Sequence, residues 1–316
     1  MHVIEALNNS KEFLISLEIT PPNKGQGIEE IFTTVDNLMP FNPSFINVTY
    51  HQPQVVYEEI NGTIYRVPKR KKAGTVGICA SITNRYNIET VPHFICGGFS
   101  KFETEDALID LHYLGITNLL ALRGDPPVGH STFIPEKEGH KYASGLVKQI
   151  NNMNRGIYLE ELEEAKPTNF CIGVAGYCEK HFEAPSFEKD LQNLKFKVEQ
   201  GAHYIITQMF YDFDAFKKFV EKAREIGIAV PIIPGIKPIT KLSQLSSLPR
   251  FFYISVPHPW VEAMENARTP EKVFQIGTKK MIELCEKLIE YKVPAIHIYT
   301  LGRATATQAL LKGFLK

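Results

Sequence analysis

The residues best suited to chemistry in this chain sit in or at the ends of apolar runs. Ile15-Ser16-Leu17-Glu18-Ile19 places a carboxylate in an otherwise apolar stretch, and Phe45-Ile46-Asn47-Val48-Thr49-Tyr50 ends in hydroxyls. Val91-Pro92-His93-Phe94-Ile95 carries an imidazole, Leu119-Leu120-Ala121-Leu122 runs into Arg123-Gly124-Asp125, and Ile205-Ile206-Thr207 runs into Gln208. Groups spread over a whole chain in this way can meet only if the runs are parallel strands set close together. A (β/α)8 barrel achieves that, with its active site on the C-terminal rim of the strands. The pattern marks the chain as an enzyme candidate.

Glu18 stands out among these groups. With Leu17 and Ile19 beside it, its carboxyl is expected to be partly desolvated, which raises the pKa and suits a general acid. The plainer reading is strand alternation, with Ser16, Glu18 and Thr20 on one polar face. In a barrel that face points inward, so both readings place Glu18 near the site. His93 taken alone reads as a satisfied core histidine; no second His or Cys stands at metal-ligand spacing, and no metal is expected.

Arg123-Gly124-Asp125 follows a buried run directly. Glycine lets backbone approach a ligand closely, while arginine and aspartate can read a polar heterocycle. An Arg–Asp pair bracing a tight turn is the equal alternative. Asp190, Asn193 and Lys197 recur at helical spacing and share one helix face. That stripe can follow the sugar and phosphates of a nucleotide, although a solvated face is the commoner origin of such a pattern. Tyr177 and His181 add an aromatic surface and a donor for phosphate. No G-x-G-x-x-G follows a strand, so any dinucleotide is held without the Rossmann device.

The elements that must position these groups read as eight strand-then-helix units. Strands are expected over about 13–20, 45–50, 90–96, 118–122, 170–175, 204–207, 231–236 and 295–300. Helices are expected over about 27–38, 75–86, 104–114, 143–153, 186–200, 214–226 and 305–314, with several helical pieces before residue 291. Alternation at this spacing calls for a parallel sheet. Polar strand ends all the way round favour closure into a single barrel over 1–316 rather than an open sheet with one crevice. The segments 51–74 and 126–141 are the longest excursions on the rim. The first reads as irregular and partly basic; the loop after the fourth strand has room for a hairpin.

Thirty-five basic residues balance thirty-five acidic ones, which gives no sign of nucleic acid or an anionic membrane. The run Lys69-Arg70-Lys71-Lys72 reads as a solvated loop face. Five cysteines without a C-x-x-C pair suggest neither a disulfide framework nor a zinc site. No apolar window is long enough for a membrane span, the first residues lack the apolar stretch of a signal peptide, and a reducing, cytoplasmic setting fits best.

Taken in order, these segments resemble the methylenetetrahydrofolate reductase family. The likeness runs through Ser16-Leu17-Glu18-Ile19-Thr20-Pro21-Pro22, Asn47-Val48-Thr49-Tyr50, Pro92-His93-Phe94-Ile95-Cys96 and Ala121-Leu122-Arg123-Gly124-Asp125. It continues through Tyr142-Ala143-Ser144, Gly173-Val174-Ala175-Gly176-Tyr177, Glu179-Lys180-His181, Asp190 to Lys197, Ile206-Thr207-Gln208, Pro234-Gly235-Ile236 and His297-Ile298-Tyr299-Thr300.

The resemblance implies a barrel holding FAD on its rim. It implies flavin contacts at Thr49, His93, Arg123, Gly124, Asp125, Tyr142, Ala143, Tyr177, His181, Asp190, Asn193 and Lys197. It also implies a general acid at Glu18, an aspartate near flavin and folate at Asp125, and a pterin contact at Gln208. Arg303 would meet the folate glutamate tail. Leu242 stands where some members carry a phenylalanine that packs on substrate, and Gly302 where asparagine is common.

The implied reaction is ping-pong reduction of methylenetetrahydrofolate by NADH or NADPH through FAD, in a homo-oligomer without a regulatory domain. Other readings of the same barrel are a proline dehydrogenase-like flavoprotein, a flavin-free folate barrel passing methyl groups to a corrinoid protein, and an inactive subunit of a larger complex.

Overall fold

A computed structural model describes residues 1–10, 12–127 and 129–315. The chain opens with α1 (Val3–Asn9), β1 (Leu14–Ile19), α2 (Glu29–Asp36) and β2 (Phe45–Val48). Then come β3 (Gln54–Ile60), β4 (Thr63–Lys69), α3 (Thr75–Tyr86), β5 (Glu89–Ile95), α4 (Lys101–Tyr113) and β6 (Asn118–Leu122). The middle holds α5 (Ala143–Met153), β7 (Cys171–Gly176), α6 (Phe187–Glu199), β8 (Tyr204–Thr207) and α7 (Phe213–Glu225). The last part holds β9 (Ile232–Ile233), β10 (Gly235–Ile236), α8 (Ser243–Phe252), α9 (His258–Glu265), α10 (Pro270–Glu290), β11 (Ala295–Tyr299) and α11 (Ala304–Phe314).

Apart from the β3–β4 hairpin, the strands form one sheet in the order β10-β11-β1-β2-β5-β6-β7-β8-β9. Its neighbours all pair in parallel. The two ends of that order, β9 and β10, are halves of one strand on either side of Pro234. The expected seventh strand is therefore broken, and the sheet closes through it. Proline has no N–H to give a ladder, but the Pro234 carbonyl accepts the His297 N–H at 2.9 Å. The eight expected strand positions are all present.

Strand alternation splits the apolar residues into two bodies. Leu17, Ile19, Ile46, Val48 and Val174 face outward and pack beneath the helices. Phe45, Val91, Leu120, Cys171, Tyr204 and Ile233 fill the barrel, with Val3 from α1 packed among them. Gly173 makes room for the Tyr204 ring, since a Cβ there would lie 2.4 Å from it.

Three expectations change at the level of elements. The segment read as irregular contains an antiparallel hairpin, β3 paired with β4. Its turn is Asn61-Gly62 with φ of 53° and 76°, the two-residue turn that matches strand twist. The alternation on either side of Asn-Gly was the legible signal. The loop at 126–141 holds no strand among its described residues. The helix expected from Thr104 begins at Lys101, because Ser100 and Glu103 form a capping box.

Closure predicts a tight tolerance inside the barrel. Gly173→Ala should drive a methyl into the Tyr204 ring and lower the urea unfolding free energy by about 1–3 kcal/mol. An unchanged midpoint and slope would show that the interior has slack.

Candidate active site

The inward positions at the top of the barrel form a polar floor. Register pairs Glu18 with Tyr299 on one side and Asn47 on the other, so their side chains share the interior face. Glu18 is only 7% exposed. Its Oε2 lies 3.3 Å from His93 Nε2 and 3.7 Å from His297 Nε2. The flanking residues in the sequence predict apolar side chains around this carboxyl. Leu17 and Ile19 instead point out to the helices, and two imidazoles are its neighbours.

His93 is buried, and that burial holds its pKa down at about 4 against the pull of Glu18. It is therefore neutral at neutral pH and meets Glu18 as an imidazole. His297 is fully buried, with Nδ1 2.8 Å from Ser16 Oγ. Its ring stands edge-on to Tyr299, centroids 5.0 Å apart, and the Tyr299 hydroxyl donates to the Thr207 carbonyl at 2.7 Å.

Cations gather on the arc above β6, β7 and α6. Arg123 is largely buried, pairs with Glu183, and lies over the Phe133 ring. Glu183 is held below the usual carboxylate range by that hydrogen bond. Gly124 adopts φ of 89°, and a Cβ there would press on Ile95 at 3.2 Å, so the close turn needs glycine. Lys197 donates from Nζ to the Ala175 carbonyl at 2.5 Å, and burial brings its pKa down to about 8.

Asp190 accepts the His181 N–H at 2.9 Å. His181 packs edge-on to Tyr177 at 4.7 Å and stacks on Phe182 at 4.8 Å. The helix stripe of Asp190 and Lys197 thus turns toward the end of β7. Asn193 lies between them in sequence and is exposed.

The two rim excursions meet around this site. Gln52 Nε2 donates to the Asp125 carbonyl at 3.1 Å, and Arg66 pairs with Glu136 at 2.9 Å across them. The basic run continues onto the loop after β1, where Lys24 N donates to the Lys71 carbonyl at 2.8 Å. Thr49 ends β2 with its Oγ1 3.2 Å from His51 Nε2. His51 is held below its ordinary pKa by burial and Lys72, against Asp125 and Glu18.

Gln208 caps β8, its N–H donating to the Gly176 carbonyl at 2.8 Å, while its Oε1 accepts the Met209 N–H. Asp125 and Tyr142 stand exposed at the rim, with Ala143 half-buried after Tyr142. Leu242 and Arg303 are exposed at the starts of α8 and α11. They share the rim face with the rest, but no hydrogen bond joins their side chains to it.

Several groups have a place in the site to which the sequence assigns no role. His297 and Tyr299 alternate inward in Ala295-Ile296-His297-Ile298-Tyr299, a signal of the same kind that exposed Glu18. Lys237 follows β10 and is buried, with its pKa brought down to about 8 by that burial. Glu183 carries no local pattern, and Glu179 stands in the resembling segment Glu179-Lys180-His181 without a role of its own. Glu179 accepts the Ser255 N–H and hydroxyl and ties the β7 loop to the segment after α8.

A sequence profile of the methylenetetrahydrofolate reductase family matches residues 3–314. An Arabidopsis thaliana protein named methylenetetrahydrofolate reductase (NADH) 1 is 32% identical over 309 residues, 95% of this chain and 48% of that protein. A Pectobacterium carotovorum protein named 5,10-methylenetetrahydrofolate reductase is 29% identical over 316 residues, 97% of this chain and 93% of that protein. The chain spans about half the length of the eukaryotic relatives it matches.

Among solved structures, a Clostridium thermocellum protein that binds two copies of 5-methyl-5,6,7,8-tetrahydrofolic acid superposes with a TM-score of 0.58 at 14% identity. The match covers 99% of both chains. Oxaloacetate acetylhydrolase superposes at 0.50 with 10% identity, covering 97% of this chain and 80% of its own. Likenesses this distant establish the barrel and leave its chemistry to the site.

The neutral state of His93 has a measurable consequence. The unfolded chain binds a proton there below pH 6.5, while the folded protein resists it until about 4. Acid therefore favours unfolding across that window, by up to roughly 3 kcal/mol. The stability of wild type relative to His93→Gln should fall as pH drops from 7 to 4. A pH-independent difference would show that the imidazole is not held neutral.

Proposed function

The chain belongs to the methylenetetrahydrofolate reductase family, and from that premise we propose that it reduces 5,10-methylenetetrahydrofolate to 5-methyltetrahydrofolate with NADH or NADPH, using FAD. The observation that carries this reading is Glu18, a buried carboxyl inside the barrel mouth, facing an arc of cations suited to a diphosphate. The rival flavoprotein and methyl-transfer readings are set aside because the family match runs nearly the whole length of the chain.

The residues present fit FAD. Lys197, Arg123 and His181 supply the donors that a diphosphate needs, and Asp190 fixes the backbone at His181. Gly124 lets backbone come close, while Thr49, His93, Asp125, Tyr142, Ala143, Tyr177 and Asn193 complete the proposed flavin contacts around the rim. When bound, FAD supplies hydride acceptance from the nicotinamide and hydride donation to the folate methylene carbon.

The chain's own part is to bind, orient and move a proton. Gln208 presents its amide toward the pterin, Leu242 covers the substrate from α8, and Arg303 meets the glutamate carboxylates. Glu18 gives a proton to N10 so that the five-membered ring opens to an iminium at N5. Asp125 faces that cation and stabilises it. The buried floor beneath Glu18 keeps bulk water from the carboxyl and so strengthens each of these interactions.

The setting we assign is cytoplasmic. The five cysteines are all free and buried, as suits a reducing compartment, and no helix among the described residues is long and apolar enough to cross a membrane. The assembly we assign is a homo-oligomer, on the resemblance alone.

Incubation of the FAD-supplemented protein with NADH or NADPH and methylenetetrahydrofolate should yield 5-methyltetrahydrofolate, quantified by chromatography. Flavin binding without folate turnover under any donor would sink the assignment. The depressed pKa of Lys197 sets the pH behaviour of flavin affinity. Below pH 8 the ammonium is charged and affinity is level; above it the free protein must take up a proton to bind, so affinity falls. Lys197→Met should weaken binding at pH 7 by roughly tenfold or more and flatten that dependence, read by flavin fluorescence. A Lys197→Met protein that keeps the alkaline fall would place its cause elsewhere.

A further inference from the structure

The two imidazoles beside Glu18 are not equivalent. His93 reaches the rim and is 7% exposed, whereas His297 is fully enclosed. His297 sits between β10 and β1, its strand partners being Gly235 and Ser16. Its Nε2 faces the Glu18 carboxyl at 3.7 Å and its Nδ1 faces the Ser16 hydroxyl at 2.8 Å. The perpendicular Tyr299 ring packs against it. Its Nδ1 thus faces a hydroxyl, while Nε2, which makes no hydrogen bond among the described residues, faces a carboxyl.

A hydroxyl can both donate and accept, and neutral imidazole has one nitrogen of each kind. When Glu18 is a carboxylate, an Nε2–H tautomer donates to it and the Ser16 O–H donates to Nδ1. When Glu18 is a carboxylic acid, its O–H donates to a bare Nε2, and Nδ1–H donates to Ser16 Oγ. The imidazole holds one proton in both arrangements; only its position on the ring changes. A backbone carbonyl in place of Ser16 would accept only, and would lock Nδ1 as the donor and Nε2 as the acceptor.

We propose that His297, backed by Ser16, is a positioning residue that switches tautomer with the protonation of Glu18, so that the buried acid keeps a hydrogen-bond partner before and after it gives up its proton. The kinetic half of this rests on the proposed reduction; the tautomer switch itself does not. Catalytic hydrogen bonds are commonly longer in the free enzyme and tighten on substrate binding, which suits the 3.7 Å separation. Other groups face the pair from around the barrel. His93 stands on β5, Tyr299 on β11, and Asn47 on β2 with both side-chain polar atoms buried and unpartnered. From the loop after β2 comes His51, whose charge state is felt at Glu18 and His93. Of the two imidazoles that approach the Glu18 carboxyl within 4 Å, only His297 has a hydroxyl on its other nitrogen among the described residues.

The direct test is long-range 15N–1H correlation of histidine-labelled protein without cofactor. The His297 tautomer should change with pH in wild type, and should hold one form over the same range in Glu18→Ala. A single tautomer throughout in wild type would overturn the switch.

In the loaded enzyme, Ser16→Ala should slow reoxidation of the reduced flavin by methylenetetrahydrofolate more than it slows reduction by NAD(P)H. The difference should be roughly tenfold or more, with the pH profile of the folate step displaced. Equal effects on both steps with an unmoved profile would reduce Ser16 to a packing role and overturn the proposal. Should wild type itself fail to turn over folate, the functional reading falls, and the tautomer measurement still decides the switch.

Discussion

Closure of the parallel sheet through the two short halves of its seventh strand is the constraint on which the site depends. Ile232–Ile233 pairs with β8 and Gly235–Ile236 with β11, so Pro234 can give up its ladder N–H without opening the barrel. β1 and β11, the first and last strands of the barrel, pair directly in parallel. Ser16 and His297 are 281 residues apart in sequence yet 2.8 Å apart in space. The acid, His297 and the hydroxyl behind it stand on the β1–β11 ladder, and His93 joins them from β5.

Charge is then divided around the rim. The chain carries no formal net charge, yet the β6–β7–α6 arc collects the cations Arg123 and Lys197, with His181 held below its ordinary pKa by burial, while the β1–β5–β11 arc collects Glu18, His297 and a neutral His93. Burial shapes both arcs. It brings Lys197 down to about 8, close to giving up its proton near neutral pH, and brings His93 to about 4, so that it cannot compete with Glu18 as a cation. Burial of an unpaired charge is costly, and each arc answers that cost differently. Arg123 takes a carboxylate and Lys197 a backbone carbonyl as partner, whereas His93 stays neutral.

Much of this was legible in the residues. Polar groups alternating within apolar runs located every strand that carries the acid and the cations, and the spacing of Asp190 and Lys197 identified the helix face that turns to the rim. The β3–β4 hairpin has its Asn-Gly turn in the sequence, and the adjoining basic run masks the alternation of its strands. The surroundings of Glu18 could not be read locally. Flanking residues in a strand face away from the side chain between them, so Leu17 and Ile19 say nothing about its neighbours. Those neighbours come from β5 and β11, and only the closed register names them. Lys237 and Glu183 lie in turns whose geometry no short pattern specifies.

The central claim is that Glu18 delivers the proton that folate reduction requires and has no part in the nicotinamide step. Stopped-flow measurement of the two half-reactions in Glu18→Gln separates these directly. Flavin reduction by NAD(P)H should proceed at close to the wild-type rate, while reoxidation by methylenetetrahydrofolate should slow by roughly a hundredfold or more. Folate-dependent reoxidation at the wild-type rate in Glu18→Gln would contradict the account.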